Sequence, residues 1–337
     1  MIRFFLLSLA LASLALAAPR SEFIYETAPF PSCHASTIVE TKAGDLYAAW
    51  FGGTDEGNKD VAIWGARRVS GGAWSAPREL VREPNTPTWN PVLFLDKTGT
   101  LWLYYKFGPS PRDWTGGRMS SRDGGQTWSK PEHLPAGILG PIKNKPLLLP
   151  GGDIVSGTSV ESYQAWTSWV ERSTDNGTTW SKHGPIVYPG EIHASIQPSI
   201  VRLPRSKTLR MYVRTTEKLG KVGYADSKDD GKTWSELKLL NLPNPNSGID
   251  AVGLKDGRVL LVYNHTERGR FPLNVAVSED GTNFQPLVTL ESERGEFSYP
   301  AVVQAADGTV HITYTWNRKK VRHVEIPLAD LGKGVVK

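Results

Sequence analysis

The sequence predicts an all-β chain folded as a six-bladed β-propeller in a single domain, and three observations carry that expectation. A short Ser-x-Asp turn recurs at spacings of 52, 54 and 51 residues. An apolar strand, opened by Gly in five copies and by Lys207 in the sixth, recurs six times with the same period. Between these elements there is almost no helical periodicity, and a period near 50 residues sustained along the chain matches radially repeated four-stranded sheets.

The turns read Ser121-Arg-Asp-Gly-Gly-Gln-Thr-Trp128, Ser173-Thr-Asp-Asn-Gly-Thr-Thr-Trp180, Ser227-Lys-Asp-Asp-Gly-Lys-Thr-Trp234 and the shortened Ser278-Glu-Asp-Gly-Thr-Asn-Phe284, with a worn copy at Ser70-Gly-Gly-Ala-Trp74. Asp and Ser can accept backbone N–H groups in a tight turn, Gly supplies positive φ, and the aromatic packs the hairpin on its neighbour. The turn is therefore architecture and not chemistry. The recurring strands open at Gly44, Gly99, Gly152, Lys207, Gly257 and Gly308. A shorter strand precedes each, so one unit reads strand, turn, strand, loop, strand, Asp turn, strand.

Composition narrows the class. The apolar fraction of 39% and charged fraction of 22% suit a packed core and exclude a disordered chain. One cysteine, Cys33, excludes a disulfide scaffold and reads as a small buried thiol. The net charge of +5 is spread out, which argues against nucleic acid and for a mild attraction to anionic glycans. Residues 1–17 carry a basic start, the apolar run beginning at Phe4 and the Ala15-Leu16-Ala17 cleavage pattern of an export signal, with 18–337 as the mature domain. The expected protein is secreted or periplasmic, free of the membrane after cleavage, and monomeric. No zinc spacing or phosphate loop is present, so no cofactor or metal is expected.

In a propeller the inner strand of each blade presents its start to one mouth of the channel. The six positions are His34, Asn90, Lys145, Gln197, Asp250 and Tyr299, all polar or ionisable. Polar groups converging in one cleft form the default candidate site. Trp89, Trp114, Trp166 and Trp316 near predicted loops can stack on sugars or pack blade against blade, and Lys106 is a further candidate cation.

The Ser-x-Asp-x-Gly-x-Thr-Trp turn on a propeller of this size resembles the Asp-box (BNR repeat) of the sialidase, or neuraminidase, superfamily over roughly residues 28–325. That resemblance implies a glycosidase with a Tyr nucleophile, an acid on a mobile loop and arginines on the substrate carboxylate. Phe297-Ser298-Tyr299-Pro300 resembles the nucleophile segment, Arg214 the second arginine, and Arg270 the third, with Arg268 as its rival. Asp55, with Glu56 and Asp60 as rivals, lies where the family carries its acid. An anionic anomeric centre repels a carboxylate nucleophile but admits a neutral phenol, and a guanidinium fork binds a carboxylate bidentately.

Two positions depart from the family pattern. His34 stands where the first arginine is expected, and Gln197 stands where a proton-accepting Glu is expected. These raise His34 or His193 as the proton handler. Related propellers include uronate-directed lyases and rhamnose-cleaving enzymes that work with His, which gives a second enzymatic expectation. A non-catalytic glycan-binding propeller is the third.

Overall fold

A computed structural model describes residues 19–41 and 44–331. The expected export signal lies outside the described residues. Six four-stranded antiparallel sheets follow one another around an axis, and no α-helix occurs among the described residues.

Blade 1 is built from Ser32–Glu40, Leu46–Gly53, Ala62–Arg68 and Arg78–Val81. Blade 2 uses Thr88–Leu95, Leu101–Phe107, Thr115–Ser121 and Glu132–His133. Blade 3 uses Leu147–Leu148, Ile154–Glu161, Trp166–Ser173 and Ser181–Ile186. Blade 4 uses Ser195–Arg202, Leu209–Thr215, Lys221–Ser227 and Lys238–Pro243. Blade 5 uses Asp250–Gly253, Val259–Asn264, Leu273–Ser278 and Gln285–Glu291. Blade 6 contributes Phe297–Gln304, Val310–Trp316 and Lys320–Ile326, and its fourth strand is the N-terminal Arg20–Phe23.

That last pairing closes the ring, since Arg20–Phe23 runs antiparallel to Lys320–Ile326 with Glu22 opposite His323. It is absent from the sequence reading because a four-residue strand carries too little period to recognise.

Each expected apolar strand is the second strand of its blade. Leu46–Gly53, Leu209–Thr215 and Val259–Asn264 are buried along their whole length. A strand packed on both faces by neighbouring blades reads as a continuous apolar run instead of an alternating one. The outermost strands, such as Arg78–Val81, are largely exposed. Apolar clusters accordingly span adjacent blades, with Val201, Tyr212 and Leu240 of blade 4 packed with Leu261 and Ala276 of blade 5.

The Asp turns join the third strand to the fourth and hold the blades together. Ser121, Ser173 and Ser227 each accept the N–H four residues on, from Gly125, Gly177 and Gly231, at 2.8, 2.7 and 2.9 Å. Asp175 accepts the Thr179 N–H and hydroxyl at 2.8 and 2.6 Å, and the Thr179 hydroxyl leads the bonds that hold its carboxyl down at about 2. The box aromatic then meets the preceding blade: Trp128 on Tyr47, Trp180 on Tyr104, Phe284 on Tyr212. Gly125, at φ +88°, sits where a Cβ would come within 2.2 Å of Tyr47, so no larger residue fits. The worn copy keeps a left-handed glycine, Gly71, and the aromatic, with Trp74 on the His323 ring across the closing seam.

Cys33 is a buried free thiol pushed up to about 12 by burial, as the sequence suggested. Replacing Ser227 by Ala leaves the buried Gly231 N–H without its acceptor. Urea unfolding of Ser227→Ala is expected to show a lower midpoint at unchanged slope, equivalent to about 1–3 kcal/mol.

Candidate active site

The inner strands of blades 1, 2, 4 and 6 are interrupted by bulges, at His34/Thr37, Trp89/Val92, Ile196/Ser199 and Ser298/Ala301. Inside each sits a left-handed residue: Ala35, Asn90, Gln197 or Tyr299, at φ 56°, 27°, 60° and 52°. In three of them a proline follows, and it has no N–H to leave unpaired where the ladder breaks. A left-handed Tyr is strained and is retained where its side chain must be re-aimed.

In blade 1 the equivalent of Tyr299 is therefore Ala35. His34 lies one residue ahead of its expected place in the ring. It nevertheless reaches the centre, where its ring packs against Tyr299 with centroids 4.1 Å apart.

The Tyr299 hydroxyl receives two donors, Arg214 Nη1 at 2.9 Å and Gln197 Nε2 at 3.0 Å. Gln197 Oε1 accepts from the same Arg214 nitrogen at 3.4 Å, which orients the amide. Arg214 is itself aimed by Asn246, whose Oδ1 accepts from Nε at 2.8 Å. Arg270 and Lys143 stand 5.7 and 5.8 Å from the centre of the Tyr299 ring. Gly248 makes room for them, since a Cβ there would lie 3.3 Å from Tyr299 and 3.5 Å from Lys143. The phenol oxygen thus faces two hydrogen-bond donors and its ring two cations.

Around the mouth the charges form a chain. Glu296 accepts from Arg270 and Arg318, each at 2.8 Å, and Arg318 also pairs with Glu56. Three guanidiniums, Arg214, Arg270 and Arg318, thus meet the carboxylates Glu296 and Glu56 around the mouth. Burial, and then Arg318, Arg270, Arg214 and Lys143, push the His34 imidazole well below its usual value. His34 is therefore neutral, with Nδ1 2.9 Å from Thr315 Oγ1. Burial also lowers Lys143 to about 7.

Two further carboxyls complete the acidic candidates. Asp55, on the exposed loop after the second strand of blade 1, accepts the Glu56 N–H at 2.9 Å and faces Ser32. Of its rivals, Glu56 pairs with Arg318 at the mouth itself, and Asp60 accepts the Thr54 N–H at 2.8 Å. The second group, Glu161 at the end of the second strand of blade 3, is nearly buried and its Oε1 has no hydrogen-bond partner. Burial raises its carboxyl to about 7, against the pull of Arg214.

Several expected site residues have structural partners instead. Lys145 donates to Asp250 and to the Ala251 carbonyl, both at 2.9 Å, and Asp250 also accepts Ser199 Oγ at 2.7 Å and the Val302 N–H at 2.8 Å. This pair, with Asp250 buried and Lys145 half-buried, ties blades 3, 4, 5 and 6 together; the lysine that faces Tyr299 is Lys143. The Pro146 signal misplaced it, because the first strand of blade 3 begins only at Leu147.

Lys106 is wholly buried, donates to the Pro141 carbonyl and is lowered to about 7 by burial; the lysine placed over the Tyr299 ring is Lys143, itself buried on the Ile249 and Pro300 carbonyls. Asn90 sits inside the bulge of blade 2, and Arg270 lies 5.7 Å from the centre of the Tyr299 ring. Trp89 donates to the Gly108 carbonyl at 2.8 Å and packs on Trp114, both in the core. Trp316 packs on Phe23 at the closing strand. Trp166 is the half-buried exception: Arg214 lies 5.9 Å above it and His193 packs edge-on against it at 4.9 Å.

Arg318, Lys143, Glu296, Asn246 and Glu161 were not anticipated. Only Arg318 carries a local signal, the Asn317-Arg318 pair at φ 49° and 56° that turns the hairpin of blade 6.

A family model described as a BNR repeat-like domain matches residues 44–312. The chain belongs to the BNR repeat-like domain family. No curated protein sequence matches it significantly. The fold of this BNR-repeat protein is similar to a protein of unknown function from Dyadobacter fermentans, at 17% identity and TM-score 0.77, covering 90% of this chain and 97% of that one. It is similar to the NanB sialidase from Streptococcus pneumoniae at 13% identity and TM-score 0.76, covering 92% and 71%. It is also similar to the intramolecular trans-sialidase from Ruminococcus gnavus at 14% identity and TM-score 0.74, covering 92% and 98%. Similarity at these identities is one of fold, and the expected six-bladed propeller is the fold they share.

Glu161 gives this BNR-repeat site a measurable signature. Its native value near 7 lies above the unfolded value of 4.5, so its stabilising contribution is complete below about 4.5 and is lost as pH rises through 7. Glu161→Gln removes that dependence. Thermal unfolding between pH 4.5 and 8 is expected to show the variant gaining on the wild type as pH rises, by on the order of 1–3 kcal/mol.

Proposed function

We propose that the protein is an exported exo-glycosidase of sialidase type, releasing a terminal acidic sugar from a glycan through attack by Tyr299. The observation that carries this reading is the Tyr299 hydroxyl, held by Arg214 and Gln197 in a cleft with Arg270 and Lys143 against its ring. Arg214 and Arg270 grip the sugar carboxylate, and that anion favours a phenol over a carboxylate as nucleophile.

The chemistry then runs in two balanced steps. The Tyr299 oxygen bonds to the anomeric carbon as the glycosidic bond breaks, and the departing oxygen takes a proton from Asp55. The phenolic proton passes to Glu161, the carboxyl that shares Arg214 with the phenol. Water then gives a proton to the Asp55 carboxylate and attacks the anomeric carbon, and Tyr299 recovers its proton from Glu161. Gln197 only donates to the hydroxyl; its amide has no basic lone pair to take that proton.

A second reading, a lyase or a His-dependent glycosidase, is favoured by the contact of His34 with Tyr299. Its weakness is electrostatic, since burial and four cations make this imidazole a poor base.

The test is incubation with a panel of sialosides, uronate polysaccharides and rhamnosides. Released acidic sugar is expected, with Tyr299→Phe slowed roughly 10³-fold or more and Glu161→Gln losing the step near pH 7 in its rate profile. Rising absorbance from an unsaturated uronate would establish the second reading. Glycan binding with no turnover of any substrate would overturn both in favour of a binding propeller.

A further inference from the structure

The seam where blade 6 meets blade 1 carries a cluster that the axial site does not use. Neighbouring strands of blade 6 set His311 opposite Glu325 and Thr313 opposite His323, and the closing strand sets Glu22 opposite His323. Residues opposite one another, or two apart along a strand, share a face of the sheet. That face is covered by blade 1 through Trp74, edge-on to His323, and Arg68.

His311 Nδ1 and His323 Nε2 face each other at 3.1 Å, and Glu325 Oε1 lies 3.8 Å from the same His311 nitrogen. One ligand atom from each of these residues lies within 4.8 Å of the others. His323 Nδ1 meets Glu22 Oε1 at 3.0 Å, which places the ring proton there and turns the Nε2 lone pair towards His311. Thr313 Oγ1, on the same face, is buried with no hydrogen-bond partner. A cavity of about 570 Å³ lined by His311, Glu325 and Arg68 opens alongside.

We propose that His311 Nδ1, His323 Nε2 and Glu325 bind a divalent transition-metal cation of the zinc class at this seam. Two imidazole nitrogens on a tetrahedral zinc, each bonded at about 2.0–2.1 Å, stand about 3.3 Å apart, close to the separation here. Glu22 is the outer carboxylate that fixes the tautomer and aim of a ligating imidazole. With Nε2 of His323 as the acceptor, His311 Nδ1 donates to it; binding moves that proton to His311 Nε2 and replaces the bond between the two rings with two bonds to the cation. Arg68 at present donates to both Glu22 and Glu325; it keeps Glu22 and yields Glu325 to the cation. Its charge opposes the metal, which sets the affinity below that of a closed structural zinc site. The cation clamps two strands of blade 6 and, through Glu22, the strand that closes the ring.

The experiment titrates the metal-stripped protein with zinc chloride by calorimetry, with cobalt chloride as the coloured probe. One equivalent bound, a tetrahedral cobalt spectrum and a thermal midpoint that rises with zinc concentration are expected. His311→Ala, which only enlarges an existing cavity, is expected to weaken binding at least about tenfold and to abolish the cobalt spectrum. Glu325→Gln tests the same site without touching an imidazole, and hydrolysis of any glycan substrate is unchanged in His311→Ala. Wild-type protein with no saturable zinc binding overturns the proposal. So does undiminished binding in both variants.

Discussion

No blade of this propeller has a core of its own. Each sheet buries its faces only against the sheets beside it, so the ring must close before any of the packing is complete. The Asp turns serve that requirement directly: a left-handed glycine lets the turn lie on the preceding blade, as Gly125 does on Tyr47, and the box aromatic covers the same residue. The short strand Arg20–Phe23 meets the last demand, pairing with blade 6 so that no long edge is left open. The Lys145–Asp250 pair does similar work at the axis, with Ser199 and the Val302 N–H filling the carboxylate's remaining lone pairs.

Closure also dictates where chemistry can occur. With the faces consumed by neighbours, free side chains can converge only at the mouth of the axis, and the bulged inner strands turn them there. Tyr299, Gln197 and Asn90 owe their aim to left-handed backbone inside these bulges. Around Tyr299 the second strands and loops of blades 4, 5 and 6 deliver Arg214, Arg270 and Arg318 from positions far apart in the chain.

Burial, more than pairing, sets the protonation of the inner groups. Burial draws Lys143 and Glu161 towards 7 and, with the cations around it, holds His34 neutral, even though Lys143 donates to Asn144 Oδ1 and to the Ile249 and Pro300 carbonyls. The rim differs: Arg270, Arg318, Glu296 and Glu56 compensate one another in half-exposed bridges. The outcome is a cleft with paired charges at its edge and titratable groups beneath.

Much of this was legible in the sequence. The turn chemistry of Ser, Asp, Gly and Trp is local, so four copies at a constant spacing were enough to read the repeat, the blade count and the second strands. Tyr299, Gln197, Arg214 and Arg270 were legible through local motifs. Lys143, Glu161, Glu296 and Asn246 were not, because nothing in their own segments distinguishes them from ordinary loop and strand residues. Lys106 and Lys145 looked equivalent to them, yet the fold buries one on a carbonyl and pairs the other with Asp250. The sequence by itself thus determined the architecture and the candidate nucleophile, whose signals lie within a few residues of one another. Which cations and carboxyls face that nucleophile was decided only by the tertiary structure, since it depends on contacts between blades that the ring must close to create.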